Sequence, residues 1–322
     1  MTNVVLNDPV TGSTATIAVH LGLNCFEFLV RGLSDHDISV IHAAEGFADG
    51  TQRVSHSGIP VLFPFPNRIR GGRYSWDGQN YELPESLVGY EGSGNAIHGF
   101  CLDRPWRITA RTDSAVTAVF RISQDAPERL ALWPTDGEIE ICYSLKKACL
   151  RADITVRNPT DVPLPWGFGT HAYFRLPLTD QGDAADCTVF APVTKRWQLQ
   201  GCLPTGTIVD PEPTAQLMNG PRFGDLKLDD VYTGVVSDGG VVECRLIDDA
   251  AGIQVTQRCD DSFREIVAFT PPWASAVCLE PYTCTTDAIN LQQQGIDAGL
   301  RVLGPNDTWR GWIEIAVGPV VC

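Results

Sequence analysis

The stretch EIEICYSLKKACLRADITVR, residues 138–157, decides the fold class. Apolar and polar side chains alternate along residues 138–145, and the alternation resumes along residues 150–157 after a polar connection at Lys146 and Lys147. A period of two predicts half-buried strands, and two such runs around a short connection predict an antiparallel hairpin.

The same alternation recurs along the rest of the chain. Residues 241–247 and 253–258 predict a second hairpin around the polar connection 248–252. Further strands are predicted at residues 114–123, 265–269, 276–279 and 309–317, and a short helix at residues 288–294. No stretch keeps a helical period over three turns. We therefore predict an all-β fold, a large antiparallel β-sandwich, with one domain spanning residues 1–322.

Charge and composition exclude several classes of partner. Lys and Arg number 24 against 39 Asp and Glu, a net charge of -15 that repels polyphosphate, so we expect no nucleic-acid partner. The apolar run 59–65 is interrupted by Pro60 and Pro64 and is too short to span a bilayer, so no membrane partner is expected. The first ten residues lack the pattern of a signal peptide, which predicts a cytoplasmic location.

The eleven cysteines are an odd number without CxxC pairs. This favours buried thiols in a reducing compartment over a disulfide framework or a zinc site. We expect no metal, and a monomer or homodimer.

Two polar segments lie in the first third of the chain. In GIPVLFPFPNRIRGGRY, residues 58–74, Asn67 and Arg68 follow a proline-stiffened apolar run, and Arg68 offers a fork of donors to ligand oxygens. A solvated turn is the alternative. In NAIHGF, residues 95–100, His98 precedes a glycine that permits close approach, although a hydrogen-bonded structural histidine has the same pattern.

Three later segments complete the candidate site. In PWGFGTHAYFRLP, residues 165–177, His171 lies among aromatic residues, including Trp166 and Tyr173, that suit a sugar face as well as a core. In VCLEPYT, residues 277–283, Glu280 follows an apolar strand, where a carboxylate is costly unless solvated or paired. Asp229, beside Asp230 in LDDVYTG, is a weaker candidate, because adjacent acids are common in turns.

Taken in order, these segments resemble the aldose 1-epimerase (galactose mutarotase) family. FPNRIRGGRYSWDGQNYELP with NAIHGF is similar to the family's Asn-Arg, Leu-Pro and His-Gly stretch. GTHAYFRL is similar to its second histidine motif, LDDVY to its Asp element, and LEPYTCTTDAIN to its Glu-Pro strand. The resemblance spans about residues 58 to 290, and EPYT looks more like the broader branch than like the galactose-specific members.

The resemblance implies a β-supersandwich that interconverts the α and β anomers of a free aldohexose without a cofactor. It implies Glu280 as catalytic base, His171 as catalytic acid and His98 as the second active-site histidine. Arg68 and Asp229 correspond to sugar-hydroxyl contacts, with Asp230 as the alternative to Asp229. We add Asn67, Trp166 and Tyr173 as substrate-binding candidates.

Reference pKa values of about 4.3 for Glu and about 6.5 for His suit such a pair, and a neighbouring carboxylate is expected to raise the pKa of His171.

Four other functions stay open. A hexose-6-phosphate mutarotase would use Arg70 and Arg73 for the phosphate. A non-catalytic sugar-binding protein needs no acid–base pair. A glycoside hydrolase would pair Glu280 with Asp229, and a metal cupin lacks its HxH motif here.

Overall fold

The computed structural model describes residues 3–33 and 37–320. Its strands are β1 (Asn3–Asn7), β2 (Thr14–Ala18), β3 (Asn24–Val30), β4 (Ile38–Ser39), β5 (Val61–Leu62), β6 (Arg68–Ile69), β7 (Arg73–Trp76), β8 (Gln79–Glu82), β9 (Ala96–Ile97), β10 (Arg107–Arg111), β11 (Ala115–Arg121), β12 (Glu138–Lys146), β13 (Cys149–Arg157), β14 (Leu164–Trp166), β15 (Gly169–Thr170), β16 (Ala172–Arg175), β17 (Thr188–Phe190), β18 (Val193–Gln200), β19 (Leu203–Val209), β20 (Asp229–Val235), β21 (Val241–Asp248), β22 (Ile253–Asp260), β23 (Glu265–Phe269), β24 (Ala276–Tyr282), β25 (Arg301–Leu303) and β26 (Thr308–Pro319).

Helical structure is brief within the described ranges. Two short α-helices are α1 (Ile122–Asp125) and α2 (Ala288–Gln293), the second of which confirms the helix predicted there. Short 3-10 turns lie at Phe47–Asp49, Val54–His56, Arg70–Gly72, Pro127–Leu132, Ala184–Asp186, Pro213–Ala215, Leu217–Asn219 and Phe223–Asp225. None of the helices in residues 3–33 and 37–320 is long and apolar enough to cross a membrane.

Two large antiparallel sheets dominate the structure and confirm the all-β prediction. Sheet A has eight strands in the order β10-β11-β12-β13-β26-β22-β21-β17. Sheet B has the order β19-β18-β20-β23-β24-β15-β5, with β16 also paired to β24. A four-stranded sheet (β1-β2-β3-β4) and three two-stranded ribbons (β14-β25, β6-β9 and β7-β8) accompany them.

The decisive hairpin has the predicted register. β12 pairs antiparallel with β13 from Glu138 opposite Arg157 to Lys146 opposite Cys149. Lys147 and Ala148 between them take φ values of 53° and 55°, the left-handed turn that matches the twist of the flanking strands. The second predicted hairpin is β21 with β22, from Val241 opposite Asp260 to Asp248 opposite Ile253.

The core lies between the apolar faces of the two sheets. Ile141 and Ile154 of sheet A and Ile266 and Leu279 of sheet B belong to one continuous cluster of buried residues. Strand β24 is unusual because all seven of its residues are buried. Its second face is therefore also covered, and Glu280 lies on that face.

Candidate active site

The site lies on the face of sheet B that points away from the core. Successive side chains of a strand point to opposite faces, so Leu279 enters the core while Glu280 points the other way. Val267 of β23 lies opposite Glu280. Tyr173 of β16 lies opposite Cys278, two residues before Glu280. Strand parity and register thus place groups from separate sequence motifs on one surface.

These groups line a cavity of about 200 Å³. That is smaller than the 300–1,000 Å³ pockets that hold drug-sized ligands, so the cavity suits one small ring. Its lining residues are Arg53, Ser55, His56, Asn67, Arg68, Glu91, Ile97, His98, His171, Tyr173, Asp229, Val267, Phe269, Trp273 and Glu280. Seven of the eight predicted site residues are in this set.

An imidazole and a carboxyl meet at the centre of the cavity. Nε2 of His171 is 3.4 Å from Oε1 of Glu280, and both side chains are almost fully buried. The His171 ring stacks on Tyr173 with centroids 4.7 Å apart, and Phe269 meets it edge-on at 6.2 Å. Tyr173 is itself held by a 2.9 Å hydrogen bond from its hydroxyl to the Ser55 carbonyl. The imidazole is therefore clamped by aromatic rings rather than free to rotate.

His98 lies beside this pair because of a strained turn. Its φ is 67°, and its backbone N–H donates to the Asn67 carbonyl at 2.8 Å. The next residue must be glycine, since a Cβ on Gly99 would lie 2.3 Å from the carbonyl oxygen of Phe63. The turn brings the His98 ring edge-on to His171, with centroids 5.6 Å apart.

Polar donors and acceptors form one end of the cavity. Arg68 donates from Nη1 to Oδ1 of Asn67 at 2.9 Å, and its Nε lies 3.9 Å from Oε1 of Glu91. Asp229 lines the same cavity, whereas Asp230 is held by Arg196 at 3.3 Å and does not line it. The geometry therefore favours Asp229 over Asp230 as a ligand contact.

The electrostatics of the pair differ from the expectation. Burial raises the pKa of Glu280 well above its ordinary value, and this outweighs the hydrogen bond from Tyr282. Burial lowers the pKa of His171 to about 3, so the expected increase is wrong. Burial and the neighbouring His171 also lower the pKa of His98 well below its ordinary value. In the sugar-free site burial therefore favours the neutral carboxyl of Glu280 over the carboxylate and the neutral imidazole of His171 over the imidazolium.

Trp166 is the predicted contact that does not line the cavity. Only 1% of its surface is exposed, and its ring packs at 5.0 Å against Trp309 in the core. Its position in β14 aligns it with Arg301 of β25, away from sheet B. Aromatic composition alone did not distinguish a sugar platform from a core residue.

Sequence reasoning missed several cavity residues. Arg53, Ser55 and His56 come from a 3-10 turn and its flank without a recognisable motif. The ring of His56 stacks on Trp273 at 4.2 Å, and the indole is 48% exposed at the cavity edge. Only the tertiary fold joins these two segments, which is why no local pattern revealed them.

One group of potential metal ligands coincides with the pair. Ligand atoms of His171, Cys278 and Glu280 all lie within 4.8 Å of one another. Zinc accepts such a donor set, but it requires the ionised thiol and carboxyl. Burial raises the pKa of both acidic groups and so disfavours those forms. Without an ion, the site therefore favours the neutral forms of the Cys278 thiol and the Glu280 carboxyl.

The comparisons with known proteins agree with this architecture. The family model "Aldose 1-epimerase" matches residues 36–316. Among curated proteins, the uncharacterized protein YihR of Escherichia coli K12 is 32% identical over 161 residues, covering 45% of this chain and 49% of YihR. The chain thus matches about half the length of that relative. YphB of the same organism is 27% identical over 115 residues, 36% of each chain.

Solved structures share the fold along almost the whole chain. A galactose mutarotase-like protein from Clostridium acetobutylicum superimposes with a TM-score of 0.83 at 22% identity, covering 96% of this chain and 94% of its own. A GalM/aldose epimerase homologue from C. elegans gives 0.80 at 17% identity, covering 99% of both chains. The β-rich galactose mutarotase-like fold and the match to the family model lead to one conclusion: this chain belongs to the aldose 1-epimerase family.

Proposed function

We propose that this protein interconverts the α and β anomers of a free aldohexose by acid–base ring opening and reclosure. The anomeric hydroxyl loses its proton to a base while the ring oxygen gains a proton from an acid, and the bond between C1 and the ring oxygen breaks. Rotation about the C1–C2 bond presents the other face of the aldehyde. Reclosure reverses both proton transfers, so the protein ends in its starting state.

The contact between His171 and Glu280 supports this proposal most directly. Their facing atoms are 3.4 Å apart inside a cavity sized for one small ring. Such a pair holds one proton and one vacant basic site, which is what simultaneous transfer at two sugar oxygens requires. In the proposal Glu280 accepts the hydroxyl proton, and His171 delivers a proton to the ring oxygen.

The proposal includes a proton transfer within the pair. In the sugar-free site burial favours the neutral carboxyl and neutral imidazole. Sugar hydroxyls bring hydrogen bonds that stabilise the charged carboxylate, and Arg68 favours the same form. The shared proton then moves to His171, which produces the reactive arrangement. In the proposal His98, whose ring centroid is 5.6 Å from that of His171, orients the ring oxygen.

The remaining cavity residues are assigned to sugar binding. Arg68, Asn67 and Asp229 offer both donors and acceptors at one end, which suits sugar hydroxyls. Tyr173 contributes an aromatic wall beside His171. Binding in one pose lets both proton transfers occur without rearrangement, and such positioning is a large part of catalysis.

Polarimetry on freshly dissolved sugars tests the proposal. Wild-type protein should accelerate the approach to anomeric equilibrium for at least one aldohexose, and His171→Asn should reduce that acceleration about 10²–10⁴-fold. Glucose, galactose and other aldoses form the panel. Saturable binding of a sugar without any acceleration would instead indicate a non-catalytic sugar-binding protein.

A second candidate is an aldose that carries an anionic group far from C1, such as a hexose 6-phosphate. The arginines first considered for this role are engaged elsewhere, Arg70 with Asp287 at 3.4 Å and Arg73 with Glu82 at 3.2 Å. Arg53 favours the candidate instead. It lines the cavity and is exposed, and its Nη2 donates to the Tyr90 carbonyl at 3.4 Å rather than to a carboxylate of the described residues.

Arg53→Gln separates the two candidates. An anionic substrate should show a KM raised about tenfold or more in this variant, with free hexoses unaffected, because one charge-assisted contact is lost. Arg111→Gln is the matched control, since Arg111 is exposed on β10 and does not line the cavity. Equal kinetics with phosphorylated and free hexoses in wild type and Arg53→Gln would eliminate the anionic candidate.

A cytoplasmic location and a monomeric or homodimeric state complete the proposal. The ten cysteines in the described part of the chain are all free, and most are buried. Free buried thiols suit a reducing compartment. Fractionation of the native host and light scattering of the purified protein test these two points.

A further inference from the structure

The two oxygens of the Glu280 carboxyl have different partners. Oε1 faces His171 at 3.4 Å, whereas Oε2 accepts a short hydrogen bond from the hydroxyl of Tyr282. Tyr282 has no exposed surface and does not line the cavity. A carboxyl group is planar, so holding one oxygen determines the direction of the other.

We propose that Tyr282 is a positioning residue, whose hydroxyl holds Oε2 of Glu280 and thereby aims Oε1 at His171 and the sugar. Its effect on rate rests on the proposed epimerase function. Its effect on the Glu280 carboxyl does not, so the two effects can be measured separately.

The Tyr282 ring is fixed by its surroundings. It packs in a cluster of buried residues apart from the main core, formed by Leu62, Trp197, Val231, Val267 and Tyr282. Gly169 lies opposite it in the adjacent strand, and a Cβ on that glycine would lie 2.1 Å from Cδ1 of the ring. Only a glycine leaves space for the ring, so Gly169 of the histidine motif allows the Tyr282 ring to occupy this position.

The hydrogen bond favours the ionised carboxyl. Tyr282 stays protonated because burial raises its pKa well above the ordinary value, so it remains a donor throughout the working pH range. Its hydrogen bond lowers the pKa of Glu280 and partly opposes burial. The other titratable or charged groups near the carboxyl include His171, Cys278, Asp229, Arg68, His98 and Tyr173.

Tyr282→Phe removes the hydroxyl and keeps the ring. A hydrogen bond to a charged group corresponds to about a 10- to 100-fold change in the carboxylate population. The Glu280 carboxyl should therefore titrate about one to two pH units higher than in wild type. The maximal rate should fall about 10- to 100-fold with KM nearly unchanged, because Tyr282 does not touch the cavity.

Infrared titration of the sugar-free protein measures the carboxyl directly, with Glu280→Gln subtracted to identify its band. Tyr74→Phe is the matched control, since it also removes a buried hydroxyl hydrogen bond, here to the Leu132 carbonyl at 2.7 Å, away from the cavity. The proposal expects a displaced Glu280 titration in Tyr282→Phe and none in Tyr74→Phe.

An unchanged titration in folded Tyr282→Phe would overturn the proposal. Gly169→Ala supplies a second perturbation, which should displace the ring and produce the same titration shift. If wild type accelerates no aldose while the titration still shifts, the proposed function fails and the carboxyl-holding role stands. A shifted titration with an unchanged rate in an active protein would refute the positioning role.

Discussion

Replacing Glu280 with glutamine removes one proton acceptor with little change in shape. The amide oxygen can still accept the hydrogen bond from Tyr282, so the side chain should keep its position. The amide cannot take a proton from the anomeric hydroxyl at neutral pH. Loss of a positioned general base predicts a fall in kcat/KM of about 10²–10⁴-fold.

Glu265 offers an isosteric control on the same sheet. It lies opposite Tyr282 on β23, it has no exposed surface, and it does not line the cavity. Its Oε2 accepts from the Trp197 indole at 3.1 Å, a contact that glutamine retains. Glu265→Gln should therefore keep kcat/KM within a few-fold of wild type, even though an equally buried carboxyl is removed.

Glu265→Gln should raise the free energy of unfolding at high pH while its activity stays close to that of wild type. Burial raises the pKa of Glu265 from 4.5 to about 8, although Arg264 lies 3.5 Å away. Arg264 also pairs with Asp297, and its side chain is 38% exposed, so the burial of Glu265 outweighs the attraction of Arg264. A raised carboxyl pKa means that the folded state binds the proton more tightly than the unfolded state. Stability therefore falls as the pH rises from about 4.5 and levels off above about 8.

The pKa difference sets the size of this effect. At about 1.4 kcal/mol per pH unit, Glu265 costs the wild type about 3 kcal/mol at pH 7 and about 5 kcal/mol above pH 8. Glu265→Gln should recover most of this free energy of unfolding at pH 8 and almost none at pH 4. Glu280→Gln should show the same sign, because burial also raises that pKa.

Two measurements on the same three proteins check this reasoning. Polarimetry gives kcat/KM, and urea unfolding followed by tryptophan fluorescence at pH 4, 6 and 8 gives the free energy of unfolding. Glu280→Gln as active as wild type would remove Glu280 from the mechanism. A Glu265→Gln variant that loses activity as strongly as Glu280→Gln would show that burial, rather than proton transfer, explains the loss.

Two further changes test the cavity wall and the histidine turn. Asp229→Asn should raise KM about tenfold, because Asp229 lines the cavity. Asp230→Asn should leave KM nearly unchanged, because Asp230 faces Arg196. Steady-state polarimetry measures both KM values, and equal effects would contradict the assignment of Asp229 as the sugar contact. Gly99→Ala should lower the free energy of unfolding by at least about 1–2 kcal/mol, because the φ of Gly99 is 74° and the added Cβ would meet Phe63. A midpoint of urea unfolding equal to that of wild type would contradict this expectation.

Local sequence was sufficient for the strands because side-chain alternation is a local property. The predicted strand at residues 265–269 is β23, and the predicted hairpin at residues 138–157 has the expected pairing. The prediction for residues 276–279 ended too early, because the strand continues through Glu280 to Tyr282. Pro281 and the charged Glu280 indicated the end of a strand. In the fold both faces of this strand are buried, and the Glu280 carboxyl contacts His171 and Tyr282.

The motifs also supplied most of the candidate site, since Glu280, His171, His98, Arg68, Asn67, Tyr173 and Asp229 all line one cavity. They could not separate Trp166 from these residues, because an aromatic side chain beside a histidine motif has the same composition in a core and at a surface. Arg53, His56 and Trp273 had no sequence signal, because their proximity depends on contacts between distant segments.

The sequence by itself determined that alternating strands would form antiparallel sheets and which residues are candidates for acid–base chemistry. Only the tertiary structure decided how those residues meet and in which direction burial shifts the pKa of each one. Register between β16, β23 and β24 sets which side chains share a face, and the depth of burial raises one pKa while lowering the other. Both depend on strands far apart in the chain, and desolvation is a property of the surrounding fold rather than of any local motif.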